Sequence, residues 1–584
     1  MQADAKMISK LFFKLLPVQI LLVAISGFNS IIDGAMANNF IDPKALTVIG
    51  LYLPFVKIIE TINAVLLGGS QILCGRFLGK NQIERTRSVF SVDMFVVTSL
   101  GLLMSILCIV FPGFFSDILG ADATTHDDLV KYIIGISIGL IPQMLASQLT
   151  AFLQMEQQQK RTYAGIILMM VSNATLDYLF IKVFSWGMFG LGLATAISYW
   201  ILFAFQGTFY LTSKAVIKFS MKLIQWSDIG PIIKIGVPGA IVSLCLSIRG
   251  VLLNKILLST GGNDAVGALS ALNTFGCVLY APTAGLAAAT RLLISIYMGE
   301  EDKTSMKLVL RTALTRGVLM VTFVGGLVAA LSVPMTYIFY KDPTSTAFYL
   351  TKWIFRIFPL TMPLSAVCIT FINYYQSVGR MKIVNVLSVF DGILGVGGAA
   401  IAMSPFGTVA VWWAHVIGGL INTSVILVYS IIVNKRFPKN LEELATIPKD
   451  FGVPDEDRLD ISIHSNDDVV NTSQQIIDFC QGKGIDYKKS YYAGLCLEEM
   501  AANIVKHGFT DKKKHSVDVR VIYGTDGLML RIKDDCLNFN PQEKLELIDP
   551  EDKTHNIGIR MVSNIAKDMS YHSVLGLNVL TVSF

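Results

Sequence analysis

Two groups of residues in this 584-residue chain have the types and spacing to do chemistry. The first is a set of oxygen donors inside apolar stretches: Asp33, Asn173, Asp177 and Thr195. An ionisable side chain in hydrocarbon costs about 2.5–3.5 kcal/mol on insertion scales, so each needs a reason to be there. Asn173 and Asp177 are four residues apart and share a helix face; if the stretches pack together their oxygens converge with Asp33, and Thr195 adds a hydroxyl. Two carboxylates, an amide and a hydroxyl suit a sodium ion or a shared proton, because neighbouring carboxyls raise one pKa toward neutrality. The alternative is that Asp33 and Asp177 end their stretches in contact with water. The second group is Glu499, Asn503 and His507, one stripe of a helix whose other face carries Leu495, Met500, Ala501 and Ile504. A carboxylate with an amide one turn on can activate water or a hydroxyl while an oxygen holds Mg²⁺. The same stripe also fits a plain amphipathic helix.

The elements that must position these groups fall in two solvents. About twelve apolar stretches of bilayer-spanning length precede Arg436, and some 145 residues of charged, alternating sequence follow it. A hydrophobic content of 53% and a mean hydropathy of +0.57 are too apolar for an ordinary soluble protein. After Asn440 there are 16 Lys and Arg against 24 Asp and Glu, so the net charge of +5 comes from the membrane part, and no nucleic-acid partner is needed to explain it. The basic residues cluster after even-numbered stretches: Arg76, Lys80, Arg85 and Arg87 after the second, Lys160 and Arg161 after the fourth, Lys303, Lys307 and Arg311 after the eighth. The positive-inside rule then puts both termini in the cytoplasm. The eight cysteines form no CxxC pair and no ligand cluster, so neither disulfides nor zinc are expected. The N-terminal apolar run is too long for a signal-peptide core and reads as a retained first span.

The membrane half repeats at an offset of roughly 220 residues: GSQILCGRFLGKNQ is answered by ATRLLISIYMGEED, AFLQMEQQQKRT by TFINYYQSVGRM, and MFGLGLATAIS by PFGTVAVWWAH. Six spans per repeat give two bundles of the same orientation around a central cavity. The predicted units are an N-lobe at 8–215, a C-lobe at 216–436, a linker at 437–454 and a soluble domain at 455–584. The phrases IIDGAMANNF, GSQILCGRFLGKNQ and NATLD, with this architecture, resemble the multidrug and toxic compound extrusion (MATE) family. The resemblance implies that Asp33, Asn173, Asp177 and Thr195 bind the coupling cation, H⁺ or Na⁺, and that Pro17 lets the first helix bend when its aspartate is neutralised. In the C-lobe the polar candidates are Arg249, Lys255, Arg356, Asp391 and His415, with Arg249 and Asp391 expected to form a structural ion pair and Lys255 to snorkel.

In the soluble part, Val517–Asp535 reads as two strands around a turn at Gly524–Gly527, Ile557–Tyr571 as a helix, and GLNVLTVSF as a last strand. With Leu495–Phe509 this order resembles the GHKL ATPases, nearest to anti-sigma-factor serine kinases. The resemblance implies Glu499 as general base, Asn503 as Mg²⁺ ligand, Asp534 as the adenine-recognising aspartate and Gly558 as a phosphate-loop glycine. Cys536 and Asn538 stand where that family has glycines, and Asn556 replaces the first glycine of GxG.

The fold class expected is therefore a twelve-helix membrane protein in two repeats with a C-terminal α/β sandwich, in the bacterial inner membrane among lipids. The resemblances imply a cation-coupled antiporter exporting amphipathic, cationic, drug-like small molecules, with a tail that binds ATP and Mg²⁺ and regulates. The rivals are a membrane-tethered serine/threonine kinase or ATPase acting on a protein partner, and a lipid or oligosaccharide flippase with a degenerate docking tail. Arg85, Arg87, Lys303 and Lys307 are the expected contacts to the acidic tail.

Overall fold

The computed structural model describes residues 7–17, 20, 33, 36–37, 40–41, 45–212, 215–448, 450–508, 515, 517–524, 527–536, 557–574 and 577–584. Among them ten helices are long and apolar enough to cross a bilayer, and one bent pair makes eleven. They are the second to twelfth predicted spans. The second is Ala45–Gly79, the third Ile83–Val110, and the fourth the pair His126–Ser137 and Leu140–Met155, bent by 48°. The fifth is Gln159–Val183, the sixth Gly187–Gly207, the seventh Ile229–Thr274 and the eighth Gly276–Gly299. The ninth is Lys303–Ala330, the tenth Thr346–Val378, the eleventh Met381–Phe406 and the twelfth Thr408–Asn434. Of the first span, 7–17 is helical up to Pro17, and Asp33 is also described; most of the rest, including the segment where Pro17 would bend the helix, lies outside the described residues.

The repeat is visible in backbone detail. The turns after the second, fourth, eighth and tenth spans each carry one left-handed residue, Asn81 (φ 60), Gln157 (φ 61), Glu301 (φ 55) and Gly379 (φ 87). In each, the next amide donates to the carbonyl five residues back: Gln82 to Phe77, Gln158 to Leu153, Asp302 to Tyr297 and Arg380 to Tyr375. These are Schellman closures, which satisfy carbonyls the helix end leaves bare. The lobes meet on this same side, where the second and eighth spans cross. A Cβ on Gly299 would lie 2.1 Å from the Arg76 carbonyl oxygen, and one on Gly79 2.1 Å from that of Ile296. Deeper along the same crossing, Arg291 Nε donates to Gln71 Oε1 at 3.0 Å, between residues 220 apart. Arg76 Nε donates across to the Ser377 carbonyl at 3.0 Å, tying the second span to the tenth.

This crossing yields a first prediction. Gly79→Ala and Gly299→Ala force backbone apart and destabilise the closed crossing by about 1–3 kcal/mol. Gly326→Ala, with nothing within 4 Å of its added carbon, is neutral. Thermal unfolding in detergent separates the two classes; equal midpoints would show that the lobes are not tightly closed here.

The soluble domain is a five-stranded antiparallel sheet in the order β1-β2-β3-β5-β4. Its strands are β1 (Arg458–Ile463), β2 (Val517–Gly524), β3 (Gly527–Asp534), β4 (Asp568–Val574) and β5 (Leu577–Ser583). One face is covered by α1 (Asn466–Gly482), α2 (Tyr487–Gly508) and α3 (Ile557–Ile565). Alternation assigns the faces: Val517, Val519, Val521, Leu530, Ile532, Leu580 and Val582 enter one core with Leu497 and Met500 of α2. The predicted hairpin at Gly524–Gly527 is present. The helix read as Ile557–Tyr571 is present but shorter: it stops at Ile565, and Asp568 begins β4. Met569 and Tyr571 alternate inward there, and the strand finds a full ladder on β5 that no local pattern announces.

Candidate functional site

The fifth span brings Asn173 and Asp177 inside the N-lobe, both with no exposed surface, beside Thr195 of the sixth span, 7% exposed. Asn173 Nδ2 faces Thr195 Oγ1 at 3.5 Å, and the threonine hydroxyl donates to the Leu191 carbonyl at 3.2 Å. The Asp33 carboxyl joins them, against Asp177 and Thr195, with Tyr132 and Tyr199 nearby. All four predicted residues are therefore together, and not at water-exposed span ends. Asp33 Oδ1, Asn173 Oδ1 and both Asp177 oxygens are buried with no hydrogen-bond partner. Buried acceptors without donors are costly. A cation, or a proton shared between the carboxyls, would satisfy them. At Asp177 the fifth span passes into a π-helical turn, Tyr178–Val183, a distortion frequent at functional sites.

The eleventh span of the C-lobe makes the matching π-turn at Phe390–Leu394, and Asp391 lies in it. Its chemistry differs. Arg249 Nη1 donates to the backbone carbonyl of Asp391 at 3.0 Å, while the carboxylate accepts from Asn422 Nδ2 at 2.9 Å. The expected Arg249–Asp391 ion pair is thus replaced by a backbone contact, and the carboxylate already has a donor. Arg356 Nε donates to Ser332 Oγ at 3.1 Å, Lys255 is exposed, and His415 is buried edge-on to Phe358. One carboxylate escaped the sequence reading: Asp93 in the third span has no exposed surface, and neither of its oxygens has a hydrogen-bond partner. Its only sequence signal is a lone acid in SVDMFVV.

In the soluble domain, Glu499 and Asn503 lie one turn apart and half-buried on α2, which packs against β3 and α3. Asp534 ends β3, 4% exposed, and accepts from Asn578 Nδ2 at 2.8 Å and the Cys536 amide at 2.9 Å. Burial pushes its carboxyl above the usual range, and the Asn578 hydrogen bond opposes this. Asn578 was missed because only the β3–β5 register sets it beside Asp534. Gly558 lies in the first turn of α3, which packs on α2; Asn538, Asn556 and the rest of 537–556 lie outside the described residues, as does the His507 side chain. Next to Asp534, Asp535 pairs with His515 Nδ1 at 2.9 Å and with Lys10 Nζ of the first span at 2.5 Å.

The uncovered face of the sheet lies against the membrane part, with polarity opposite to expectation. Lys533 pairs with Glu300 at 2.5 Å and Arg520 with Asp302 at 2.8 Å, so a basic sheet face meets an acidic loop. Burial would raise the Asp302 carboxyl, but Arg520 and Lys533 hold it down at about 2. The predicted loop cations are spent elsewhere: Arg85 on Asp228, Arg87 on the Val216 carbonyl, and Lys303 and Lys307 on Glu442 of the linker. Around these pairs, Leu577, Val579 and His572 pack with Leu11, Leu78 and Leu293.

His572 gives the junction a pH dependence. Burial pulls its pKa from 6.5 to about 4, Glu300 opposes this, and Arg531 and Lys533 add to it. A released tail takes up a proton below the ordinary value that the docked tail refuses. Docking therefore weakens as pH falls from about 6.5 toward 4, by about tenfold at pH 5.5. Hydrogen exchange of β4, corrected for the intrinsic effect of pH, checks this; unchanged protection from pH 7.5 to 5.5 would refute it.

Comparison with known proteins places both parts. Residues 19–179 and 238–401 match the MatE family, and 465–584 match the histidine kinase-like ATPase domain. The multidrug export protein MepA of Staphylococcus aureus is 22% identical over 398 residues, 66% of this chain and 86% of its own length. MepA of Staphylococcus saprophyticus is 21% identical over 436 residues, 72% of this chain and 94% of its own. Among solved structures, an outward-facing multidrug resistance MATE family transporter of the MOP superfamily superimposes with a TM-score of 0.67 at 18% identity, covering 72% of this chain and 94% of that one. A MATE transporter in the bent conformation gives 0.64 at 18%, with the same coverage.

Proposed function

The chain belongs to the MatE family of multidrug efflux transporters, and on that premise we propose that it is a secondary exporter driven by an inward cation gradient. The observation that carries this is the set of buried, donorless oxygens of Asp33, Asn173 and Asp177 in the N-lobe. With a cation or proton bound, the two carboxylates are neutralised and the charge burial is relieved; without it, they repel. Any conformational change that exposes the site to one side in one state and the other side in the next then couples ion entry to substrate exit. An acidic N-lobe site favours amphipathic, cationic substrates. Whether the ion is H⁺ or Na⁺ is decided by which gradient drives transport, since both suit two carboxylates, an amide and a hydroxyl.

The basic loops after even spans put the tail side in the cytoplasm. There the tail meets ATP and Mg²⁺, with Asp534 reading adenine, Asn503 holding the metal, Gly558 at the phosphates and Glu499 as base. The ion gradient, and not ATP, is the energy source. Uptake of a fluorescent lipophilic cation into inside-out proteoliposomes tests this. An imposed proton or sodium gradient should drive it without ATP; a requirement for ATP hydrolysis would overturn the reading.

A further inference from the structure

We infer that the outer face of the tail's sheet is a releasable clasp that holds the two lobes together across their cytoplasmic mouth. The inference rests on the exporter reading above. The sheet grips both lobes at once. On the N-lobe it takes Lys10 of the first span through Asp535, Asn81 of the second turn through Ser570 on the outer face of β4, and Gln157 of the fourth turn through Ser573, at the end of that edge strand and of opposite parity. On the C-lobe it takes Glu300 through Lys533, Asp302 through Arg520, and Thr304 through Arg458 at 3.3 Å. Asn81 and Gln157 are themselves left-handed turn residues, and Glu300 and Asp302 flank a third, so the sheet reads the repeated turns of the two lobes.

Those turns frame the place where the lobes close, the Gly79–Gly299 crossing. A transporter of two bundles works by rocking one against the other around its site. Opening to the cytoplasm separates the second span from the eighth, and so Asn81 from Glu300 and Asp302. A hydrogen-bonded sheet cannot follow both. Ser570 and Lys533 sit on strands tied by the β4–β5 and β3–β5 ladders, so one set of contacts must break. The interface is suited to breaking. It carries ion pairs and side-chain hydrogen bonds beside the apolar patch at Leu577 and Val579, and it borders a polar cavity of about 650 Å³ lined by Arg458, Asp460, Asp518, Arg520 and Arg531. Interfaces of this polar kind between domains permit relative motion. Asp534, the residue assigned above to adenine, is adjacent in sequence to the Lys10 contact at Asp535.

The test uses the full chain in proteoliposomes with Asn81→Cys paired with Ser570→Cys, and separately Gln157→Cys with Ser573→Cys, each bridged by a short reversible thiol crosslinker. Bridging should form in both pairs, lower gradient-driven transport at least tenfold, and be undone by reductant, while the single-cysteine variants are indifferent to the crosslinker. Efficient bridging with undiminished transport would overturn the clasp, as would failure of both pairs to bridge. Absence of transport by the reduced, unsubstituted chain would count against the exporter reading itself, and the clasp would fall with it.

Discussion

Asp33→Asn and Asp177→Asn each leave a normally inserted protein whose gradient-driven efflux falls by about a hundredfold or more. Asparagine keeps the shape of the side chain and removes the charge that attracts the ion. It also turns one oxygen into an NH₂ donor aimed at oxygens that have no hydrogen-bond partner and that the proposed ion would otherwise satisfy. Losing a charged ligand at a buried site costs about 3 kcal/mol or more, which is a factor of a hundred in occupancy. Thr195→Ala removes one neutral oxygen whose hydroxyl hydrogen is already committed to the Leu191 carbonyl, and so costs about tenfold. Transport in proteoliposomes under matched gradients, with membrane insertion checked in parallel, measures all three. Undiminished transport in both aspartate variants would remove the proposed site, and attention would pass to Asp93, a further buried N-lobe carboxylate without a hydrogen-bond partner among the described residues.

What the sequence shows and hides here follows from the range over which each contact acts. Asn173 and Asp177 were legible because a four-residue spacing on a helix fixes their common face whatever the rest of the fold does. Their meeting with Asp33 and Thr195 needed the family resemblance, because nothing local sets how the first, fifth and sixth spans pack. The hairpin of β2 and β3 announces itself by alternation and a glycine turn. β4 does not. IGIRMVSNIAKDMSY carries a helical pattern past Ile565, and only pairing with β5, which follows it, converts Asp568–Val574 to strand.

The same limit explains the reversed polarity at the junction. The tail is acidic in sum, which led to loop cations as the expected contacts. But net charge says nothing about one face of a sheet, and alternation gathers Arg520, Arg531 and Lys533 on the side away from the helices. Asp391 shows a different failure. Sequence offered a cation for a carboxylate, and the fold satisfied that carboxylate with Asn422 instead, sending Arg249 to the backbone. Charge pairing within a membrane is therefore a weaker inference than burial: the span content predicted that Asp391 needed a partner, and could not say which.

Asp534→Asn weakens Mg-ATP binding to the full chain by about ten- to a hundredfold, and Glu499→Ala leaves it within about twofold. The carboxylate at the end of β3 is buried, and Asn578 and the Cys536 amide orient it from one side through Oδ1. A ligand amine such as adenine's is therefore left to meet the other oxygen as a donor. Asparagine keeps one acceptor for either the protein or the ligand, and its NH₂ group then faces another donor. A buried donor pair of this kind costs about 1.5–3 kcal/mol, the stated range in affinity. In the role proposed for it Glu499 acts on the nucleophile and not on adenine, so its loss should spare binding while abolishing whatever hydrolysis or transfer the tail performs. Calorimetry in detergent micelles measures both, and no binding at millimolar ATP in the unsubstituted chain would make the tail a docking module without a nucleotide. Asp535, which follows Asp534, holds Lys10, so a nucleotide that displaced this end of β3 would couple the two by linkage. If ATP alters transport in the intact chain, Asp534→Asn must shift that dependence to higher ATP by the same factor by which it weakens binding. An ATP dependence unmoved by Asp534→Asn would mean that nucleotide acts somewhere other than this site.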